Sequence, residues 1–142
     1  MSIDIGPGAL PLALGGTFQP WSIEAGHSKL LLRGFLGDPE SEDPPRVFDV
    51  LFQDVSRISI GDYYDGLNIT VATAEELARE EQRVGGNWRD SRLFRLSDRS
   101  ICDYVVAGFL FWAEVGVRAN DPSPLLLEAP AVGSIKGRLY RL

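Results

Sequence analysis

Cysteine and histidine are nearly absent from this chain, and each scarcity closes off a chemistry. The single cysteine, Cys102, excludes an intramolecular disulfide, which suits a reducing compartment. One cysteine and one histidine, His27, cannot supply a Cys/His zinc site. Ser22 and Ser28 lie near His27, but no Gly-x-Ser-x-Gly elbow presents a nucleophile. His27 therefore reads as a strand-end residue bonded to backbone or water. Cys102 has no basic neighbour nearer in sequence than Arg99 and reads as a buried structural thiol.

Other signals are missing as well. No apolar run approaches the 18 or so residues of a membrane-spanning helix. The first 16 residues, MSIDIGPGALPLALGG, lack a basic region ahead of their short apolar stretch, which Pro11 interrupts. They offer no secretory signal, so a cytoplasmic location is expected. No repeat with a period of 20–50 residues is present. Gly85-Gly86-Asn87-Trp88 follows a helical segment and lacks the Gly-Lys-Ser/Thr ending of a phosphate loop. No cofactor and no metal is implied, and the reading leans away from an enzyme.

Basic charge is scarce in one half only. Residues 1–81 carry 5 Lys/Arg against 14 Asp/Glu, whereas residues 82–142 carry 9 against 6, for a chain net of −6. Nucleic-acid binding rests on neutralising phosphates with Lys and Arg, so an acidic chain argues against it. Arg83, Arg89, Arg92, Arg95 and Arg99 gather around Trp88, but Asp90 and Asp98 intervene, and internal ion pairs are the expected fate of the series.

What is present describes one domain over residues 1–142, long enough to bury a core without staples. Residues 1–16, rich in Gly and Pro, are expected to form an irregular arm. A short strand is expected over 17–23, broken by Pro20, and a firmer one over 28–35, where Leu30, Leu31 and Leu32 imply burial on both faces. Residues 37–45, GDPESEDPP, hold three prolines and four acidic residues and form an exposed loop. The stretch 46–73, RVFDVLFQDVSRISIGDYYDGLNITVAT, reads as strand, turn and strand, since both arms alternate with period two. The Asp65-Gly66 pair suits a hairpin loop.

Thr73-Ala74-Glu75-Glu76 matches a capping box, and Gly85-Gly86 stops the helix, which gives one short surface helix over about 74–84. Strands follow over 91–96 and 104–117, the latter long and central with Gly108 as a candidate bulge. Shorter strands are expected over 125–127 and 135–142. The fold class is α+β: a predominantly antiparallel β meander of six to eight strands, curled into a sandwich or partial barrel.

The candidate site residues come from the two acidic elements. Asp38, Glu40, Glu42 and Asp43 crowd the loop, and Asp62 and Asp65 flank Tyr63 and Tyr64 at the turn. The loop does not match a calcium-binding EF-hand, and solvated charge is the simplest reading of both clusters. Their functional reading is recognition: exposed tyrosines ringed by acid suit a protein partner with a basic surface. The competing reading is a small-molecule binder or enzyme whose sheet encloses an apolar cavity. Trp21, Trp88, Phe109, Phe111 and Trp112 would line that cavity, although core packing is their favoured role.

The pattern VFDVLFQDVSRISIGDYYDGLNI resembles an element of small bacterial proteins, some of them immunity proteins of polymorphic toxin systems. There an apolar strand with a D-V-x-F-x-x-V core leads to a second strand, and Asp49, Val50, Phe52 and Val55 match that core. The resemblance covers about 30 residues. It implies a single-domain cytoplasmic binder that blocks a toxin without catalysis, and it carries over no functional residue.

Overall fold

The apolar run that begins at Tyr104 becomes the strand on which the rest of the protein is assembled. The computed structural model describes residues 4–38, 40–98, 102–128, 130–131 and 133–142, with only the backbone of His27. In chain order the strands are β1 (Ile5–Pro7), β2 (Leu12–Glu24), β3 (Lys29–Leu36), β4 (Arg46–Ser59) and β5 (Tyr64–Val71). The helix α1 (Ala74–Val84) precedes β6 (Arg92–Arg95), β7 (Tyr104–Val115) and β8 (Ile135–Arg141). One edge of β7 pairs with β4 along its whole length, from Val115 opposite Val47 to Tyr104 opposite Ser59. Its other edge is shared: Tyr104–Ala107 pairs with β6, and the second half with β8.

That sharing closes a barrel. The order runs β7, β4, β3, β2, β5, β6 and back to β7, while β8 and the parallel strand β1 extend the sheet outside the ring. Every pairing except β1–β8 is antiparallel. Eight strands enclose a space just wide enough for side chains, so a six-stranded ring is tighter still. Its interior is filled by residues such as Phe18, Leu32, Phe52, Ile69, Phe94 and Leu110, all fully buried. Gly34 shows how tight the fit is, since a Cβ there would lie 2.2 Å from the Phe18 ring.

Two further layers lie outside the ring. Trp88, Leu93, Tyr104 and Val106 form a small cluster on which α1 rests through Leu77 and Val84. On the outer face of β3 and β4, Leu31, Val47 and Leu51 are also buried. The segment after β7 crosses this face, because carbonyl oxygens of Ala119 and Asp121 accept from Arg33. The double-sided burial expected for Leu30–Leu32 follows from these two layers.

Several expectations change. Residues 1–16 are not an irregular arm where described: β1 occupies 5–7 and β2 begins at Leu12. Pro7 is tolerated because β1 is an edge strand, and the glycine pair 15–16 absorbs a register shift against β5, with Gly16 at φ +89. The strands on either side of residues 60–63 exist, but they are not a hairpin. Both edges of β4 are occupied, by β3 and β7, so β5 pairs with β2 and β6 instead. The short connection therefore crosses one end of the barrel, and Asp65-Gly66 lies within β5. Alternation reports which face a residue takes and is silent about which strand lies beside it.

The bulge expected at Gly108 falls on the facing strand, between Val55 and Arg57 of β4, next to Asp54, which takes φ +53. Gly108 leaves room for it: a Cβ there would stand 3.2 Å from that of Asp54. Residues 124–126 form a 3-10 turn instead of a strand, because Pro124 supplies no ladder donor. The helix matches its capping box, with Glu76 N–H donating to Thr73 Oγ1 at 3.1 Å and Thr73 N–H to Glu76 Oε1 at 3.0 Å. Among the described residues, no helix is long and apolar enough to cross a membrane.

Candidate functional site

Acidic side chains that lack a cation close by are the ones left to meet one from outside. Asp38, Glu40, Glu42, Asp43, Asp62 and Asp65 are all exposed. Among the described residues, none of the ion pairs uses any of the six. The loop has local order: Asp38 Oδ1 accepts from Glu40 N–H at 2.9 Å, and Ser41 Oγ accepts from Asp43 N–H at 3.2 Å. Such side-chain-to-backbone bonds hold a turn without consuming the charge.

Tertiary structure brings the roots of the two acidic elements together. Thr17 of β2 stands opposite Phe35 of β3 on one side and Asp65 of β5 on the other. At the usual strand spacing, the end of β3 and the start of β5 are about 10 Å apart. Tyr63, 58% exposed, lines a small hollow with Thr17, Gln19 and Phe35. Phe35 in turn meets Trp21 edge-on, with centroids 5.9 Å apart. An aromatic strip, Tyr63–Phe35–Trp21, thus runs beside the base of the acidic loop.

Tyr64 departs from the expectation of an exposed tip. It is buried, because its position in β5 points inward beside Phe18. Its hydroxyl accepts from Gly61 N–H at 2.8 Å and donates to Asp103 at 3.2 Å, which ties the crossing connection to the start of β7. Burial, with the Asp103 carboxylate adding to it, pushes the phenol up from 10.0 to about 12. As pH rises, the unfolded chain therefore loses this proton first. The contribution is intact below about 10 and is lost as pH climbs through about 12. Denaturant titrations of wild type should show stability falling in that window, and Tyr64→Phe should flatten the fall. Equal slopes for the two proteins would refute the assignment.

The remaining candidates scatter. The side chain of His27, and Arg99, lie outside the described residues. Cys102 is exposed rather than buried: it sits in the turn ahead of β7, where its carbonyl accepts from Ser59 Oγ at 2.6 Å, and the apolar run begins after it. Arg83 and Arg95 pair with Glu80 and Glu76, as expected of internal ion pairs, whereas Arg92 donates to the carbonyls of Gly108 and Leu142. The aromatics proposed for an internal cavity are dispersed over the fold. Trp112 is in the barrel core and Trp88 lies under α1. Trp21 meets Phe35 edge-on outside the ring, and Phe109 and Phe111 lie against Arg141. Among the described residues, no three His, Cys, Asp or Glu groups converge as a metal site requires.

One feature has no counterpart among the sequence expectations. A cleft of about 510 Å³ opens between α1 and strands β6 and β7, lined by Glu76, Arg79, Glu80, Arg83, Arg95 and Tyr104 together with small apolar groups. Its signal was present in the spacing: Glu76, Arg79, Glu80 and Arg83 recur at i, i+3, i+4 and i+7, which places them on one helical face. No family model, curated protein or solved structure matches this chain.

Proposed function

We propose that this is a binding protein that engages a basic protein partner through the acid-rimmed aromatic strip formed by Tyr63, Phe35 and Trp21. The observation that supports it most is the placement of Tyr63. This tyrosine is well exposed, lines a hollow with Thr17, Gln19 and Phe35, and stands near two sets of carboxylates that enter no ion pair among the described residues. Tyrosine and tryptophan give large contact area at interfaces. Aromatic faces also accept Lys and Arg side chains by cation–π attraction, and surrounding carboxylates steer a basic partner to them. The packed interior of the ring adds support, since it leaves the function to the outer surface. A toxin-neutralising immunity protein is the concrete form of this reading, in keeping with the resemblance of the 47–69 stretch.

The test is co-expression with the products of the flanking genes, followed by capture on the tagged chain. Wild type is expected to retain a basic product, and Asp62→Lys with Asp65→Lys to weaken its capture at least tenfold at moderate salt. Tyr63→Ala should act in the same direction. Capture unaltered by all three changes, with the fold intact, would sink the proposal.

A further inference from the structure

We propose that the cleft between α1 and the β6–β7 edge binds an organic anion with an apolar body, independently of the acidic face. The cleft exists because of what the helix presents to the sheet. A surface helix ordinarily buries an apolar stripe, yet α1 has no fully buried residue. Leu77 and Val84 rest on the Trp88–Tyr104 cluster, and the adjoining arc of the helix is Glu76, Arg79, Glu80 and Arg83. Long charged side chains hold that arc off the sheet, and the gap between them is the cleft.

Its charge is opposite to that of the chain. Three arginines and two glutamates line it, and Arg57 stands behind, donating to the Tyr104 hydroxyl at 2.9 Å. Within a protein of net charge −6, this is a local excess of cation. The two glutamates are already committed. Glu76 divides its oxygens between the Thr73 N–H of the helix cap and Arg95. The cap hydrogen bond leads, and Arg95 assists, in holding its carboxyl below the usual range. Glu80 is held low mainly by Arg83, with Tyr104 also bonded to it. These contacts position Arg95 and Arg83 at the cleft.

Arg79 is the available cation. Among the described residues its ion pair is with Glu75, 3.9 Å long between two exposed side chains, a pair worth little in water, and its charge also helps to hold the Glu76 carboxyl low. The guanidinium fork suits a carboxylate or a phosphate. Ala72, Leu93 and Cys102 supply the apolar wall. A volume of this size is within the range of small-molecule sites. The anionic head is assigned to Arg79 and Arg83 at the mouth, and the apolar body to Leu93 and Ala72.

The experiment is calorimetric titration of the full chain with decanoate and with decyl phosphate, using decyltrimethylammonium as the charge-inverted control. Saturable one-to-one binding of either anion is expected, the tighter one identifying the head group, and NMR spectra of the same titration should show amide shifts at Leu93 and Cys102. Arg79→Glu with Arg83→Glu should weaken it at least tenfold. The neutral pair Arg79→Gln with Arg83→Gln should weaken it less and keeps the test valid if the acidic pair disturbs the helix. Arg118→Glu with Arg138→Glu, the same charge change elsewhere, should leave binding unchanged. No saturable anion binding, equal binding of the cation, or equal loss in both Glu variant pairs overturns the proposal.

Discussion

Asp49→Ala is expected to destabilise the protein by about 3–5 kcal/mol, the cost of leaving a buried charge without its partner. Arg33 and Asp49 face each other across β3 and β4, and both side chains are fully buried. The contact is bidentate: Nε donates to Oδ1 at 2.8 Å and Nη2 to Oδ2 at 2.9 Å. The remaining donors of Nη1 reach the carbonyls of Ala119 and Asp121, and the Trp21 ring lies 5.3 Å from the guanidinium carbon. Without Asp49, the guanidinium stays under the 119–121 segment with two of its donors unmatched.

In thermal unfolding the loss should lower the midpoint by roughly 10–17 °C, given how midpoints scale with stability in domains near this size. The joint replacement Arg33→Met with Asp49→Leu should recover most of the loss, because apolar substitutes carry no desolvation cost. By comparison, Arg46→Ala breaks a pair with Glu114 in which the Arg46 side chain is mostly exposed and should cost about 1 kcal/mol or less. If Asp49→Ala proved as mild as Arg46→Ala, the buried pair would not be a determinant of the fold.

Phe52→Ala is expected to cost about 3–5 kcal/mol, whereas Phe111→Ala should cost about 1 kcal/mol or less. Both residues belong to apolar runs, but they take opposite sides of the barrel wall. Phe52 is fully buried inside, with its ring 5.8 Å from that of Phe94 on β6. Strands of a closed ring cannot move inward independently, so the cavity left at Phe52 would persist. Phe111 is only partly buried, on the outside beneath Arg141. Chemical denaturation of the two variants measures the difference directly. Equal losses would show that the assignment of inner and outer faces is wrong.

The same pair of phenylalanines shows where sequence legibility ends. Local chemistry was readable: Thr73 and Glu76 gave the helix start, Gly85 its end, and the period-two alternation gave most strands. These depend on neighbours within a few residues. Strand neighbours depend on which edges remain free after closure, and that is how a hairpin expected to turn at 61–66 became a crossing between barrel sides. Tyr63 and Tyr64 looked alike at the turn, yet one is exposed and the other is bonded to Asp103. The lone charges within LLLRGF and VFDVLF carried a signal for a buried pair, since a charge inside an apolar run must find its opposite.

The sequence by itself determined the class of this protein: antiparallel strands with a single capped helix, together with an exposed acidic loop. Backbone propensity, capping and the hydration of charge are local matters, settled by residues close together in the chain. Tertiary structure alone decided that the ring closes on β7 and that the acidic loop and Tyr63 approach the same strand. It also decided that α1 stands off the sheet over a cleft. Each of these requires residues far apart in sequence to compete for the same edge or face, and that competition is resolved only when all the strands are in place.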